Sequence, residues 1–128
     1  MKEIEFKATE KSPQVSFDPK TGIFEMRGNS WPENVREFYY PILEKLRKHL
    51  EHILHKGNLE YYQENPLEFT FKMGYFNSAS AKFISDIMVI VGNYYQKGIN
   101  LEIYWYYDEG DEDMKDVGED FSEMISIP

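Results

Sequence analysis

The chain has 128 residues and no cysteine, and its 23 acidic and 14 basic side chains give a formal net charge of −9. The length suits one domain with a hydrophobic core, and the lack of cysteine excludes disulfides, thiolate metal sites and a thiol nucleophile. No apolar run approaches the ~20 residues that a membrane-spanning helix needs, and the first residues alternate charged and apolar side chains, unlike a secretory signal. We therefore expect a single domain, residues 1–128, in the cytoplasm and without a membrane partner.

The acidity is concentrated near the C-terminus. Residues 108–123 contain nine acidic side chains and one basic side chain, Lys115, so this segment carries nearly all of the net charge. So negative a surface repels phosphate backbones, which makes nucleic acid an unexpected partner. The EF-hand calcium pattern fails here, because Lys115 falls at a ligand position in either possible frame. The segment predicts either a solvated helix face or a docking surface for a basic partner.

The N-terminal region predicts a β-hairpin. Val15 and Phe17 alternate with polar residues, as do Phe24 and Met26, and a turn containing Pro19 and Gly22 joins the two runs. A further short strand is predicted at residues 4–8.

A long helix follows the hairpin. Ser30 and Glu33 fit a capping box, with Pro32 in the first turn, so we predict a helix that ends near Gly57. Its apolar side chains recur at helical spacing: Val35, Phe38, Tyr39, Ile42, Leu46, Leu50, Ile53 and Leu54. Pro41 removes one internal hydrogen bond, which predicts a kink or two abutting helices. Residues 58–66 are predicted to be a polar connection.

All three histidines, His49, His52 and His55, lie on this helix at i, i+3, i+6 spacing. Neighbouring pairs share a face, so a weak metal site is conceivable, but the surrounding basic residues favour a solvated helix face. The chain has no phosphate-binding glycine loop, dinucleotide fingerprint or nucleophile elbow. We therefore predict no catalytic residue, metal or cofactor, and keep a small metal-dependent enzyme as the less favoured alternative.

The second half predicts strand, helix, strand and helix. Residues 67–76 alternate with Phe69, Phe71, Met73 and Tyr75 on one side, and a helix runs from the Asn77 turn to Lys97 and Gly98. Residues 99–107 predict a strand with Trp105 facing the core, and residues 112–124 a helix with Met114, Val117, Phe121 and Met124 as its apolar stripe. The whole order predicts an α/β fold with one small mixed sheet and helices mostly on one face.

The turn at residues 77–80, Asn-Ser-Ala-Ser, admits two interpretations. The simple one is helix capping, because Asn and Ser oxygens accept the free N–H groups of a first helical turn. The other is a phosphoacceptor hydroxyl displayed at a helix N-terminus, where free donors and the helix dipole tolerate a phosphate.

Four blocks carry a family resemblance. They are Gly-Asn-Ser-Trp-Pro-Glu-Asn at 28–34, Tyr-Phe-Asn-Ser-Ala-Ser-Ala-Lys at 75–82, Trp-Tyr-Tyr-Asp-Glu-Gly-Asp-Glu-Asp-Met at 105–114 and Gly-Glu-Asp-Phe at 118–121. In this order and spacing, the chain from about residue 15 to its end resembles the SiaC-type regulatory phosphoproteins.

The resemblance implies a non-enzymatic partner-switching protein of bacteria. Its members are phosphorylated by a dedicated Ser/Thr kinase and restored by a metal-dependent phosphatase. The unphosphorylated form binds and activates a diguanylate cyclase, which raises cyclic di-GMP and favours biofilm formation. The family's phosphoacceptor follows the Asn of the strand-end motif, which places it on Ser78, with Asn77 and Ser80 shaping its turn. The family often has Thr and then Ser here, whereas this chain has Ser78 and then Ala79.

Two segments are candidates for docking a partner: Pro32, Glu33 and Asn34 at the predicted helix start, and the acidic Asp108, Asp111, Glu112 and Asp113. An alternative function of the same class is an anti-sigma-factor antagonist that switches a transcription complex. That alternative rests on fold-level analogy, the strand, serine-containing turn and helix.

Overall fold

The computed structural model describes residues 3–57 and 59–125. Within these ranges the elements are β1 Ile4–Phe6, β2 Gln14–Asp18, β3 Ile23–Ser30, α1 Val35–Lys56, α2 Leu59–Glu64, β4 Leu67–Phe76, α3 Ser78–Gln96, β5 Leu101–Trp105 and α4 Glu112–Ile125. The strands form one five-stranded sheet in the order β1-β2-β3-β4-β5.

The sheet is mixed because its connections are of two kinds. The pairs β1/β2 and β2/β3 are antiparallel, and the predicted hairpin closes with Asp18 opposite Ile23. The pairs β3/β4 and β4/β5 are parallel, since α1 with α2 crosses over between the first pair and α3 between the second. The predicted mixed α/β fold class is therefore confirmed.

The helices cover one face of the sheet. Alternate strand side chains on that face are fully buried, including Phe17, Phe24, Met26, Phe69 and Phe71. They pack against the buried stripes of α1 and α3, and the side chains between them are polar, such as Ser16, Glu25, Thr70, Lys72 and Glu102. Burial of one face only gives the strands their alternating pattern.

A β-bulge in β4 corrects one sequence prediction. Gly28 of β3 pairs with Met73 and Asn29 pairs with Tyr75, so Gly74 is an extra residue without a partner on β3. The extra residue reverses the alternation, which leaves Tyr75 56% exposed and packs Phe76 against the core. The prediction that Tyr75 lies on the same side of the strand as Phe69, Phe71 and Met73 is wrong for this reason. A β-carbon at Gly74 would lie 2.6 Å from the Asn29 Oδ1 atom, so a larger residue there requires the exposed Asn29 side chain to move.

The start of α1 also differs from its prediction. Ser30 is the last residue of β3 and is fully buried, so it caps nothing, and the capping box with Glu33 is wrong. The helix is capped by Asn34, whose side-chain oxygen accepts the Glu37 N–H at 3.2 Å. The helix continues through Pro41 as one element, so two abutting helices do not form.

The predicted connection at residues 58–66 contains a short helix, α2. Leu59 and Tyr62 of α2 pack partly against the core, which explains why this mostly polar stretch is helical. Asn58 lies outside the described residues.

The last strand and the last helix are confirmed, but the length of the strand and the apolar stripe of the helix differ from their predictions. β5 ends at Trp105 and begins at Leu101, so the predicted strand over residues 99–107 is too long. Trp105 is half-buried and packs on the core, as predicted. The apolar stripe of α4 continues to Ile125 and not to Met124, which is 47% exposed, because Phe121 and Ile125 are the residues that contact the core. Among the described helices, none combines the length and apolar character that crossing a membrane requires.

Candidate functional site

The predicted phosphoacceptor turn is the N-terminus of α3. Asn77 is the N-cap, and its Oδ1 atom accepts the Ser80 N–H at 2.9 Å. Ser78 is the first helical residue and is exposed, as is Ala79, whereas Ser80 is completely buried. An enzyme can therefore reach the Ser78 hydroxyl without unfolding the turn, while the Ser80 hydroxyl is enclosed.

The turn is attached to the end of β3. The Asn77 N–H donates to the Ser30 carbonyl at 3.1 Å, directly after the last paired residues of the two strands, Ser30 and Phe76. The place of Ser78 is thus set by the parallel β3/β4 pair, which is buried in the middle of the sheet.

Three buried hydroxyl groups lie beneath the turn. The Ser30 Oγ atom donates to the Ser80 Oγ atom at 2.8 Å and is 2.5 Å from the Tyr39 hydroxyl. All three side chains are fully buried, and burial raises the pKa of Tyr39 while its hydrogen bonds to Ser30 and Ser80 oppose the shift. These hydroxyls connect β3, α1 and α3.

Sequence reasoning missed this cluster. Ser30 fitted a helix cap and Tyr39 fitted an apolar stripe, so neither was assigned to the site. The available signal was a tyrosine among the most buried positions of α1, since a buried Tyr hydroxyl usually has a hydrogen-bond partner.

The first turn of α3 contains no acidic side chain. The positive end of its dipole is therefore not neutralised by a carboxylate within the helix. The nearest charged residue along α3 is Lys82, which forms an ion pair with Asp86 at 3.2 Å. This electrostatic environment accepts negative charge at Ser78.

The first predicted docking segment lies at the same edge of the sheet, since it directly follows Ser30. The Trp31 N–H donates to the Lys11 carbonyl at 2.7 Å, and the Lys11 ammonium forms an ion pair with Glu33 at 2.5 Å. The hydrogen bond from Lys11 lowers the pKa of the Glu33 carboxyl. Pro32 is partly buried. Asn34 is exposed and is the N-cap of α1.

The second docking segment, Asp108 to Asp113, follows β5 at this edge. The Tyr106 N–H donates to the Phe71 carbonyl at 2.9 Å, which extends the pairing with β4 beyond Trp105. Asp108 and Asp111 line a shallow depression together with Lys72 and Gly74 of β4. Asp111 also caps α4, and Glu112 and Asp113 are exposed in its first turn.

The structure therefore brings the predicted segments together. Because the carboxyl ends of the parallel strands β3, β4 and β5 meet at one edge, both docking segments and the Ser78 turn follow these ends. Exposed aromatic side chains lie within the last residues of these strands or directly after them: Trp31, Tyr75, Tyr106 and Tyr107. Large exposed aromatic rings near exposed polar groups are typical of protein-binding surfaces.

The histidines are not arranged as predicted. His49 is buried, with its Nδ1 atom 2.7 Å from the Lys45 carbonyl and its ring against Phe17, so the predicted solvated face does not include it. His55 pairs with Glu51 at 2.9 Å, and His52 is exposed. Within residues 3–57 and 59–125, no three His, Asp or Glu side chains are grouped as metal ligands.

Known proteins resemble this chain over nearly its whole length. The family described as "SiaC family regulatory phosphoprotein" matches residues 6–128. An uncharacterised protein of Pseudomonas aeruginosa (strain UCBPP-PA14) is 27% identical over 128 residues, covering 100% of this chain and 94% of that protein.

Solved structures resemble it equally well. Apo-SiaC from Pseudomonas aeruginosa superposes with a TM-score of 0.78 at 26% identity, over 100% of this chain and 96% of that one. The diguanylate cyclase SiaD in complex with its activator SiaC, from the same organism, gives a TM-score of 0.78 at 27% identity over 98% and 94% of the chains. The chain belongs to the SiaC family of regulatory phosphoproteins.

Proposed function

We propose that this protein is a non-enzymatic switch whose unphosphorylated form binds and activates a diguanylate cyclase. A Ser/Thr kinase adds phosphate to Ser78 and thereby releases the cyclase, and a metal-dependent phosphatase restores binding. The observation that carries the proposal is the exposed Ser78 hydroxyl at the first position of α3, on a turn that backbone and side-chain hydrogen bonds hold in place. Support for the partner comes from the similar SiaC chain in complex with the cyclase SiaD.

The fold tolerates a phosphate at Ser78. A phosphoserine carries about −1.5 to −2 charges at neutral pH. The unneutralised N-terminus of α3 offers backbone N–H groups and a positive dipole end, so the added charge is stabilised where it is formed. Phosphorylation should therefore change the surface and leave the core intact.

A bound partner would not tolerate the same phosphate. The sheet edge that carries Ser78 also carries the exposed rings of Trp31, Tyr75 and Tyr107, which must lose water when a protein packs on them. Enclosing a dianion in such an interface costs several kcal/mol of binding free energy. Each 1.4 kcal/mol of this cost weakens the affinity tenfold.

The proposed place of action is the cytoplasm, where ATP-dependent kinases act. The acidic segment would then face basic residues of the cyclase, since opposite charges on the two surfaces speed association and fix orientation.

The deciding experiment measures binding to a purified diguanylate cyclase of the same bacterium by calorimetry. The samples are the wild type, wild type with phosphoserine incorporated at position 78, and Ser78→Ala. We expect the wild type and Ser78→Ala to bind alike and phosphoserine-78 protein to bind at least about 100-fold more weakly. Phosphoserine at Ser122, an exposed position of α4, is the matched control and should weaken binding much less.

Peptide mapping after treatment with the cognate kinase and ATP identifies the modified residue. Label on Ser78 supports the proposal, and label only on another serine contradicts it. Equal cyclase binding by the two forms would also contradict it, and binding of an anti-sigma factor in place of a cyclase would favour a transcriptional switch.

A further inference from the structure

We propose that Tyr39 and Ser30 are positioning residues for the modification of Ser78. Their hydroxyls hold Ser80 in place and, through Ser80, the helical turn that displays Ser78. The inference rests on the proposed phosphorylation of Ser78 and assigns a role to side chains that never contact the phosphate.

The hydroxyl cluster is closed to water and spans three elements. Ser30, Tyr39 and Ser80 each have no exposed surface. Ser30 lies 9 residues from Tyr39 and 50 residues from Ser80 along the chain, so these hydrogen bonds are tertiary contacts. A buried hydroxyl that lacks a hydrogen-bond partner destabilises the fold, because it has lost its hydrogen bonds to water.

The Ser30 hydroxyl lies between the other two hydroxyls. Its Oγ atom is 2.8 Å from the Ser80 Oγ atom and 2.5 Å from the Tyr39 hydroxyl. Either oxygen of the Tyr39–Ser30 contact can be the donor, so removal of the Tyr39 hydroxyl takes away one of the two hydrogen-bond partners of the Ser30 hydroxyl.

Packing fixes the position of the Tyr39 hydroxyl. The Tyr39 ring is stacked on Phe83 of α3 with ring centres 5.3 Å apart and an interplanar angle of 2°. Phe83 lies one turn after Ser80, so Tyr39 contacts α3 through its ring and, by way of Ser30, through its hydroxyl. These two contacts leave the first turn of α3 little freedom to rotate about its axis.

Ser80 is held from two sides. Its backbone N–H is bound by the Asn77 Oδ1 atom at 2.9 Å, and its side chain is bound by Ser30. Ser78 lies between Asn77 and Ser80, within the same turn. Phosphoryl transfer requires the acceptor oxygen in line with the bond that breaks, and a misplacement of about 1 Å costs up to about 100-fold in rate.

A second tyrosine supplies a matched control. The Tyr94 hydroxyl donates to the Glu51 carboxylate at 2.6 Å and so links α3 to α1 at the other end of α3. Tyr94→Phe removes one tyrosine hydroxyl between the same two helices, far from the Ser78 turn. A role in joining the helices alone would make Tyr39→Phe and Tyr94→Phe equivalent.

The experiment compares wild type, Tyr39→Phe, Ser30→Ala and Tyr94→Phe in two measurements. Amide hydrogen exchange of Ser80 and Ala81 should be about tenfold faster in Tyr39→Phe and Ser30→Ala and unchanged in Tyr94→Phe. Steady-state phosphorylation by the kinase that modifies wild-type Ser78 should show kcat lowered about tenfold, with KM within about twofold, in the same two variants. The separation of kcat from KM distinguishes a misplaced acceptor from a damaged docking surface.

The contrary results are specific. Unchanged kcat in Tyr39→Phe and Ser30→Ala, an equal decrease in Tyr94→Phe, or faster phosphorylation of the loosened turn would each overturn the inference while leaving the proposed function intact. Wild-type protein that accepts no phosphate at Ser78 would overturn the proposed function and the inference together.

Discussion

Two helices of this protein begin with the same hydrogen bond in opposite electrostatic surroundings. In α3 the Asn77 side chain accepts the Ser80 N–H at 2.9 Å, and in α4 the Asp111 side chain accepts the Met114 N–H at 3.1 Å. The first turn of α3 contains no acidic residue, whereas that of α4 contains Glu112 and Asp113 in addition to the charged cap. The two helix starts thus share a geometry and differ in charge.

The difference indicates where a regulatory charge can be added. At α4 the dipole is already balanced by carboxylates, and a further negative group would mainly be repelled by them. At α3 the same dipole is balanced by no carboxylate in the first turn, so a new negative charge gains its full stabilisation. A neutral helix start beside an exposed serine is therefore the better position for a phosphate.

The largest expected effect concerns how α4 is attached. Trp105 donates its Nε1–H to the Met114 carbonyl at 2.9 Å and packs against Phe121 of α4, whereas its contact nearest the start of α3 is the Phe76 ring, 6.3 Å away between ring centres. We expect Trp105→Ala to lower the free energy of unfolding by about 3 kcal/mol. Urea unfolding measures this loss, and hydrogen exchange should rise more in α4 than in the first turn of α3. Equal increases in the two helices would show that α4 has no separate attachment.

The N-caps of α3 and α4 should contribute differently to the free energy of unfolding. Asn77→Ala should lower the free energy of unfolding by about 1 kcal/mol, because the Ser80 N–H loses its acceptor. Asp111→Ala removes an equivalent cap, but it also removes one negative charge from the crowded acidic segment. The resulting decrease in the free energy of unfolding should therefore be less than about half of that for Asn77→Ala. Thermal or urea unfolding of the two variants compares the losses, and identical values would mean that charge makes no difference between the helix starts.

A substitution at Ser78 itself should have a smaller effect on the free energy of unfolding, and it should increase this free energy. Ser78→Asp adds a negative charge at the neutral helix start and should raise the free energy of unfolding by about 0.5 kcal/mol at low salt. The reverse change on α4, Glu112→Ser, should alter stability by less than this, since the lost dipole interaction is offset by reduced repulsion. Destabilisation by Ser78→Asp would contradict the electrostatic account of the switch.

Salt should produce the smallest effect. Raising NaCl from about 0.05 M to about 0.5 M shortens the screening length and weakens the repulsion among the carboxylates of α4. Amide exchange in α4 should slow modestly, while exchange in the first turn of α3 should remain the same. The α3 amides act as the internal control, and parallel changes in both helices would indicate a general salt effect.

The fold was largely predictable because its strands are buried on one face only. Residues 67–73 alternate regularly and the Asn77 turn ends the strand, so the predicted and observed bounds of β4 coincide. The hairpin at Gly22 and the helix start at Asn77 followed from local turn and cap chemistry, which needs no tertiary information.

The errors occurred where distant residues decide the outcome. Ser30 has the sequence context of a cap, but Tyr39 and Ser80 bind its hydroxyl inside the core. Met124 has the right helical phase, but it stays 47% exposed, whereas Ile125 packs over Gly92 of the neighbouring helix. In the site, the turn and both docking segments were predicted individually, and their meeting at one sheet edge depends on the parallel order of β3, β4 and β5.

The bulge at Gly74 has a consequence for how this family of sequences can vary. The extra residue allows Met73 and Phe76 to face the helices although an odd number of positions separates them. Deleting Gly74 would restore regular pairing, in which Phe76 is the second residue after Met73, still faces the helices and still pairs with Ser30. A deletion at the bulge is therefore tolerable in sequence drift, whereas a single insertion or deletion within the regularly paired residues 69–73 would turn side chains to the other face of the sheet. Alignments of relatives should show a constant spacing from Phe76 to the proposed phosphoacceptor, Ser78, with gaps confined to the bulge.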